Sequence, residues 1–290
     1  MTTTDGLICR SLDVPGARLH YEVRGCGPLL LVIGSPMTAA EFLPLAHAMA
    51  ADHTVVTYDP RGLGRSTIHD PDQDATPDLR ADDVAAILDA LGADSADVFG
   101  SSGGAVTGLA LATRHPGRVR TLVAHEPPLL ELLPDAARHR AATEEIIATF
   151  HRDGVAAAWR AFMANAGFDV EATAAAEAAE VTATAEAGPP PGPEPTPDEA
   201  ATRRAESARF FDHELRETTR YLPDAAALTA GPARIVVALG AQSGHLLTDA
   251  TTRALATLLH REPVIFPGDH GGFLSAPGEF ATTLRTVLSR

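Results

Sequence analysis

The sequence predicts an α/β fold with a mostly parallel central sheet, interrupted once by an all-helical block. Strand-like segments alternate with amphipathic helices as far as residue 126, and the alternation returns after residue 233. Two continuous apolar runs, residues 28–33 and 233–239, have the length of strands that are covered on both faces. Residues 127–228 between them carry helical patterns and no strand candidate.

The composition excludes several classes of function. All 23 basic residues are arginine, so a Walker-type phosphate loop and lysine Schiff-base chemistry are both excluded. A formal net charge of −15 argues against nucleic acid or an anionic membrane as a partner. The chain of 290 residues is long enough for one large domain or for a core with an inserted subdomain.

The cysteines and the hydropathy pattern predict the compartment. Cys9 and Cys26 are the two cysteines, and no metal-type spacing of cysteine and histidine accompanies them. They fit a reducing environment, in which a disulfide is not expected. The first residues lack a signal-like segment and no apolar run approaches membrane-spanning length, so we expect a soluble cytoplasmic protein.

The first third of the chain begins with a predicted antiparallel hairpin, residues 7–14 and 17–23, turning at Pro15-Gly16. The apolar strand over residues 28–33 then ends at Gly34-Ser35-Pro36-Met37. The next predicted strand covers residues 53–58, and an amphipathic helix follows over residues 78–91.

The loop DPRGLGRS begins with Asp59 and contains Arg61 and two glycines. A catalytic role for Asp59 is one interpretation of this loop. The structural interpretation is a tight, salt-bridged loop at a strand end, which explains Asp59 and Arg61 together and is favoured.

The segment ADVFGSSGGAVTGLAL places Ser102 between a buried strand end and a helix over residues 105–115. Gly-x-Ser-x-Gly in a strand–turn–helix context is typical of a nucleophile elbow. A sharp turn crowds strand against helix, so Gly100 and Gly104 must lack a Cβ, and the amide of Gly103 faces the site of reaction. A plain glycine-rich turn and a phosphate-binding loop are the alternatives.

The chain resembles the α/β-hydrolase fold over residues 7–126, and the resemblance resumes near residue 233. Four segments together carry it: the hairpin, the DPRGLGRS loop, the GSSGG elbow and the segment RHPGRVRTLV. The resemblance implies a central sheet with helices on both faces. It also implies that the loop after the strand over residues 28–33 supplies a second oxyanion-hole amide, here that of Ser35. The family usually has His-Gly at this place, where this chain has Ile33-Gly34.

The helical block resembles the cap of these hydrolases, which roofs the active site and largely sets substrate choice. We therefore predict a core domain of residues 1–126 and 229–290 and a cap of residues 127–228. Within the cap, helices are predicted over residues 136–150, 155–163, 170–187 and 197–220, with a proline-rich linker over residues 188–197. Met37 and Trp159, the single tryptophan, are the candidate substrate contacts.

The candidate catalytic base is His270, in the loop PGDHGGF between a short predicted strand over residues 263–266 and a predicted helix over residues 277–288. This is the position of the family's catalytic histidine. A base that must reach Ser102 has to lie in a loop at the carboxyl edge of the strands, as this one does.

The catalytic acid of most members follows the strand that residues 233–239 represent, but the next six residues contain no carboxylate. Asp249 comes later, at the start of a predicted helix, where helix-end stabilisation explains it. Asp269 adjoins His270, and adjacent loop side chains usually diverge. Glu126 is favoured because it ends a predicted strand over residues 120–124, at the same sheet edge as the elbow, where its carboxylate can hold the far ring nitrogen of His270. Asp249 is the alternative.

Acids after this earlier strand occur in haloalkane dehalogenases and in lactonases that open zearalenone, and the latter share a His-Glu-x-Pro segment with HEPP of this chain. The resemblance implies a serine esterase or lactonase, with a macrolactone among the candidate substrates and no metal or organic cofactor. A serine nucleophile argues against dehalogenase and epoxide-hydrolase chemistry, which use an aspartate. A cofactor-free perhydrolase or haloperoxidase, and a non-catalytic binding protein on the same fold, are the alternatives.

Overall fold

The computed structural model of the protein describes residues 6–169 and 197–290. Nine strands in this part of the chain form one sheet, in the order β1-β2-β4-β3-β6-β7-β8-β9, with the short β5 paired to β2. The strands are β1 Ile8–Val14, β2 Ala17–Arg24, β3 Leu29–Ile33, β4 Thr54–Asp59, β5 Thr67–Ile68, β6 Ala96–Ser101, β7 Val119–His125, β8 Arg234–Gly240 and β9 Val264–Phe266.

The register confirms the predicted topology. Strands β1 and β2 form the antiparallel hairpin, with Ile8 opposite Val23, and β2 joins the sheet antiparallel to β4. From β4 through β3, β6, β7 and β8 to β9 every pairing is parallel. Parallel strands end at one edge of a sheet, so the residues that follow β3, β6, β7, β8 and β9 are brought to the same edge.

Helices cover both faces of this sheet, as the apolar strands predict. Side chains of β3 alternate between the two faces. Leu31 and Ile33 belong to one core cluster, and Leu30 and Val32 belong to the cluster on the other face. The helices of the core are α1 Leu43–Met49, α2 Pro77–Ala90, α3 Gly103–Arg114, α8 Ala225–Ala230, α9 Leu247–Leu258, α10 Gly272–Ser275 and α11 Pro277–Leu288.

The block between β7 and α8 contains α4 Ala136–Asp153, α5 Val155–Ala166, α6 Pro197–His213 and α7 Leu215–Thr219, with a 3₁₀ turn at Leu130–Leu132. These helices pack around an apolar cluster of their own, formed by Ile146, Ile147, Ala158, Phe210, Phe211 and Leu215. The helix predicted over residues 197–220 is present as two helices, because the chain leaves helical geometry at Glu214 (φ −127°, ψ −48°). The predicted helix over residues 170–187 lies outside the described residues.

Two further features bear on the expected compartment. Cys9 and Cys26 are free and exposed. Among residues 6–169 and 197–290, none of the helices has the length and apolar character that crossing a lipid bilayer requires.

Candidate active site

Ser102 lies on the sharp turn between β6 and α3, with φ 55° and ψ −125°. This backbone conformation is unfavourable for a residue with a side chain and occurs where the surroundings enforce it. A Cβ on Gly100 would lie 2.5 Å from the carbonyl oxygen of Gly104, and one on Gly104 would lie 2.3 Å from that of Ile33. Both glycines are therefore required by close backbone approach, as the motif predicts.

His270 lies in the loop between β9 and α10, and its ring is directed by Glu126 at the end of β7. The distance from His270 Nδ1 to Glu126 Oε2 is 2.7 Å, across a sequence separation of 144 residues. The side chain of His270 is 18% exposed and that of Glu126 is fully buried. The carboxylate thus engages Nδ1 and not Nε2, and His270 lines the same cavity as Ser102.

The carboxylate of Glu126 is held by several donors. The amide of Gly240 donates to its Oε1 at 2.8 Å, and the hydroxyl of Thr248 donates to its Oε2 at 2.9 Å. Burial by itself raises the pKa of Glu126, but the hydrogen bond from His270 and the neighbouring imidazoles outweigh it and lower the pKa to about 2. Glu126 therefore stays ionised at neutral pH.

The other acidic candidates have different partners. Asp249 lies in the first turn of α9, where its carboxylate accepts hydrogen bonds of 2.9 and 3.0 Å from the guanidinium of Arg253. Asp269 accepts a hydrogen bond of 2.8 Å from the amide of Gly271, two residues along its own loop. Both carboxylates are thus engaged in local contacts.

The loop after β4 is a salt-bridged scaffold, as the favoured interpretation of its sequence predicts. Asp59 accepts hydrogen bonds from the amides of Ala39 and Arg65, both at 2.9 Å, and from the Arg65 guanidinium at 3.1 Å. The partner of Arg61 is Asp83 on α2, at 2.8 Å. Asp59 and Arg61 therefore each fix the loop, through different partners.

Ser35 and Gly103, the two candidate oxyanion-hole residues, lie next to each other. A Cβ on Gly103 would be 2.9 Å from both the carbonyl oxygen and the Cβ of Ser35. Ser35 follows β3 and Gly103 follows the elbow serine, so neighbouring parallel strands bring the two residues together.

A cavity of about 350 Å³ lies between this sheet edge and the helical block. Six of the seven candidate site residues line this cavity: Ser35, Met37, Ser102, Gly103, Trp159 and His270. The seventh, Glu126, lies behind His270. Its other walls are mainly apolar residues of the helical block, among them Ile146, Phe162, Met163, Phe168, Phe210 and Leu215.

Trp159 is held in place by the helical block. Its ring stacks on Phe210 at 5.1 Å between centroids and 3° between planes, and its indole nitrogen donates a hydrogen bond of 3.0 Å to Ser207. Phe162 and Phe210 also line the cavity and were not among the predicted substrate contacts, because helical periodicity does not tell which side of a helix faces a cavity.

His125 is a buried residue of this site that sequence reasoning missed. It is fully buried at the end of β7, its Nδ1 lies 3.0 Å from the hydroxyl of Ser101, and its ring stacks beneath His270 at 6.0 Å. Phe266, Phe273 and Phe280 surround the ring. Burial lowers the pKa of His125 to about 4.

This low pKa predicts acid sensitivity. An unfolded histidine takes up a proton near pH 6.5 and folded His125 near pH 4, so the free energy of unfolding falls as the pH drops through that window. Between pH 6.5 and 5 the loss is about 1.5 kcal/mol, because the unfolded histidine is half protonated at the start of this range. Denaturant unfolding of wild type and His125→Gln at both pH values measures it. The variant should lose about 1.5 kcal/mol less than wild type, and equal losses would contradict the prediction.

One group of possible metal ligands lies far from this cavity, on the hairpin. Cys9, His20 and Glu22 place their ligand atoms within 4.8 Å of one another. Glu22 is already paired with the guanidinium groups of Arg24 and Arg65. Two adjacent positive charges disfavour a bound cation, and we assign no metal role to this group.

Comparison with known proteins identifies the family of the chain. The family model of the alpha/beta hydrolase fold matches residues 27–277. The chain is similar to the uncharacterized hydrolase YraK of Bacillus subtilis, at 32% identity over 298 positions that cover 100% of this chain and 98% of that protein. A putative carbamate hydrolase, RutD of Azorhizobium caulinodans, is 40% identical over 107 residues, which cover 37% of this chain and 40% of that protein.

Solved structures show the same fold at low identity. The enol-lactonase of Burkholderia xenovorans LB400 has a TM-score of 0.68 at 19% identity, over 97% of this chain and all of that one. A thermophilic esterase of Thermogutta terrifontis has a TM-score of 0.72 at 16% identity, over 97% of this chain and 98% of that one. With a family match over most of its length and a full-length relative, the chain belongs to the alpha/beta hydrolase fold family of enzymes.

Proposed function

We propose that the protein is a serine hydrolase that cleaves uncharged carboxylic esters or lactones through an acyl-enzyme on Ser102. The observation that carries the proposal is the hydrogen bond between His270 and Glu126 beside the cavity that Ser102 lines. A strained serine, an imidazole with one nitrogen fixed by a carboxylate, and two adjacent backbone amides are the parts that acyl transfer requires.

In this mechanism His270 Nε2 takes the proton of Ser102 as its oxygen attacks the substrate carbonyl. The carbonyl electron pair moves onto oxygen, which the amides of Ser35 and Gly103 stabilise, while ionised Glu126 stabilises the imidazolium. Collapse of the intermediate breaks the acyl–oxygen bond, and the leaving alkoxide takes the proton from His270. Water then attacks the acyl-enzyme in the same way and restores Ser102. With a lactone, the released hydroxyl remains attached to the acyl chain.

The lining of the cavity supports an uncharged, apolar acyl group. Within the described residues no arginine lines the cavity, and the whole chain contains no lysine. The one carboxylate in the lining, that of Glu214, is paired with Arg80 at 2.6 Å. A substrate carboxylate would therefore enter an apolar space with no cation to pair with, which costs several kcal/mol.

An apolar cavity of this kind should discriminate by charge between two p-nitrophenyl esters of similar shape. The 4-methylpentanoate ends in two methyl groups where the hemisuccinate carries its two carboxylate oxygens. We expect kcat/KM for the 4-methylpentanoate to be higher by a factor on the order of 10², because an unpaired carboxylate is costly to bury. Initial rates at low substrate concentration measure the ratio. Equal values, or a preference for the hemisuccinate, would contradict an apolar acyl site.

Esters and lactones remain the two substrate classes to separate. The names of similar solved structures include an enol-lactonase, an esterase and Est816, an N-acyl homoserine lactone degrading enzyme. The HEPP segment and the position of Glu126 favour a lactone, with a macrolactone such as zearalenone among the candidates. Assay of p-nitrophenyl esters of rising chain length beside small and macrocyclic lactones ranks them. In this proposal residues 127–228 act as the cap that selects among them.

Two assays test the alternatives. Covalent labelling of Ser102 by an organophosphate, located by peptide mass, is expected for the hydrolase and not for a non-catalytic binding protein. Oxidation supported by hydrogen peroxide and acetate at rates above ester hydrolysis would instead indicate a perhydrolase.

A further inference from the structure

Glu214 is a cap residue that reaches into the core. It lies where the chain leaves α6 and before it enters α7, and it is 1% exposed. The hydroxyl of Ser35 donates a hydrogen bond to its Oε1, and Arg80 of α2 contacts its Oε2 at 2.6 Å through Nη2. Arg80 is also 1% exposed, so a fully buried ion pair joins the cap to the core beside the Ser35 loop.

This contact differs from the ion pairs that α7 itself makes. Arg216 of this short helix pairs with Glu144 of α4 at 2.8 Å. The side chain of Arg216 is 32% exposed and that of Glu144 is 46% exposed. An exposed pair of this kind contributes little to stability. A buried carboxylate, in contrast, is tolerated only where its charge is paired and its oxygens accept hydrogen bonds, which fixes the side chains around it.

Helix α7 lies directly over the two residues of the proposed oxyanion hole. The methyl group of Thr218 is 3.4 Å from the position that a Cβ on Gly103 would take, and Ser35 is 2.9 Å from the same position. Glu214 binds Ser35 from the start of the helix while Thr218 covers Gly103 from its other end. The position of α7 is thus coupled to both residues.

We propose that Glu214 is a positioning residue for the oxyanion hole, acting through the hydroxyl of Ser35. The inference rests on the proposed function, in which the amide of Ser35 donates to the oxyanion. A carboxylate near a developing negative charge would oppose it, but Arg80 balances the charge of Glu214, so its effect on Ser35 is geometric. An oxyanion hole stabilises the transition state only where its donors are already oriented, and the Glu214 contact supplies that orientation.

The test compares Ser35→Ala, Glu214→Gln and the double variant, each assayed with a p-nitrophenyl ester that wild type hydrolyses. Ser35→Ala keeps the backbone amide and removes only the hydroxyl that Glu214 binds. We expect each single variant to lower kcat about 10-fold with KM changed less than about twofold, because misplacement of a donor acts on the transition state. The double variant should lose no more than the larger single loss, since both changes break one contact.

Inhibition by a transition-state mimic is a second measurement, and it should not change if Glu214 only stabilises the fold. A trifluoromethyl ketone forms an oxyanion when serine adds to it, so its inhibition constant should rise by the same factor by which kcat falls. Glu144→Gln is the matched control, because it breaks an exposed ion pair to the same helix. It should stay within about twofold of wild type in kcat and in inhibition.

The outcomes separate this inference from the proposed function. Suppose that Ser35→Ala and Glu214→Gln keep the kcat and the inhibition constant of wild type, while Ser102→Ala abolishes hydrolysis. This result would overturn the role of Glu214 and leave the proposed serine hydrolase mechanism standing. Hydrolysis that survives in Ser102→Ala would overturn both. Thermal unfolding identifies a variant that does not fold. If Glu214→Gln fails in this way, Ser35→Ala decides the question, because it leaves the pair between Glu214 and Arg80 in place.

Discussion

Replacing either Ser102 or His270 by alanine is expected to lower kcat by about 10⁴ to 10⁶, because members of a triad act as a unit. In the proposed mechanism Ser102 provides the attacking oxygen, and His270, which lines the same cavity, takes its proton. The double variant should be no slower than the worse single variant, since the serine is not activated without its base.

The measurement is steady-state hydrolysis of a p-nitrophenyl ester, with circular dichroism to establish that each variant is folded. His260→Ala is a suitable control, because this residue lies at the far end of α9 and outside the cavity. Folded Ser102→Ala protein that kept more than a tenth of the activity would exclude the serine mechanism. Loss of activity in His260→Ala would show that the assay reports folding rather than chemistry.

The second large effect is expected at Glu126. Glu126→Gln should retain fold and substrate binding but lower kcat by about 10² to 10⁴. The glutamine can still accept the amide hydrogen bond of Gly240. An amide in place of the carboxylate no longer stabilises the imidazolium, and an NH₂ group facing His270 Nδ1 would move the ring proton to Nε2, the nitrogen that must accept the proton of Ser102.

Asp249→Asn is the matched comparison, because Asp249 was the alternative acid in the sequence. Its carboxylate pairs with Arg253 on the surface of α9, so we expect a loss of at most a few tenths of a kcal/mol in stability and nearly unchanged kcat. The reverse ranking, with Asp249→Asn inactive and Glu126→Gln near normal, would assign the acid to the later loop. It would also remove the main sequence argument for a lactonase-like enzyme.

The order of strands and helices was accessible from the sequence because it depends on local patterns. Apolar runs of strand length predicted β3 and β8 to within one residue, and the glycines around Ser102 predicted the sharp turn before α3. Short elements with weaker patterns, such as α1 and α8, were not predicted. Periodicity needs more than one or two helical turns to be distinguished from chance.

The break at Glu214 shows where local patterns fail. Residues 197–220 contain no glycine, and their only proline is Pro197 at the start, so propensity favours one continuous helix. The buried contacts of Glu214 with Ser35 and Arg80 hold it out of helical geometry instead. These partners lie more than a hundred residues away along the chain, so no local sequence pattern indicates them.

The sequence by itself therefore determined the fold class, the strained serine and the loop that carries His270, because backbone sterics and hydrophobic periodicity act over a few residues. Only the tertiary structure decided which carboxylate His270 meets, which aspartate pairs with Arg61, and that Glu214 of the helical block binds Ser35. Such pairings depend on how parallel strands are ordered in the sheet and on how the helical block lies over its edge. The sheet order brings β6, β7 and β8 side by side, and this places Glu126 between the elbow and the loop of His270.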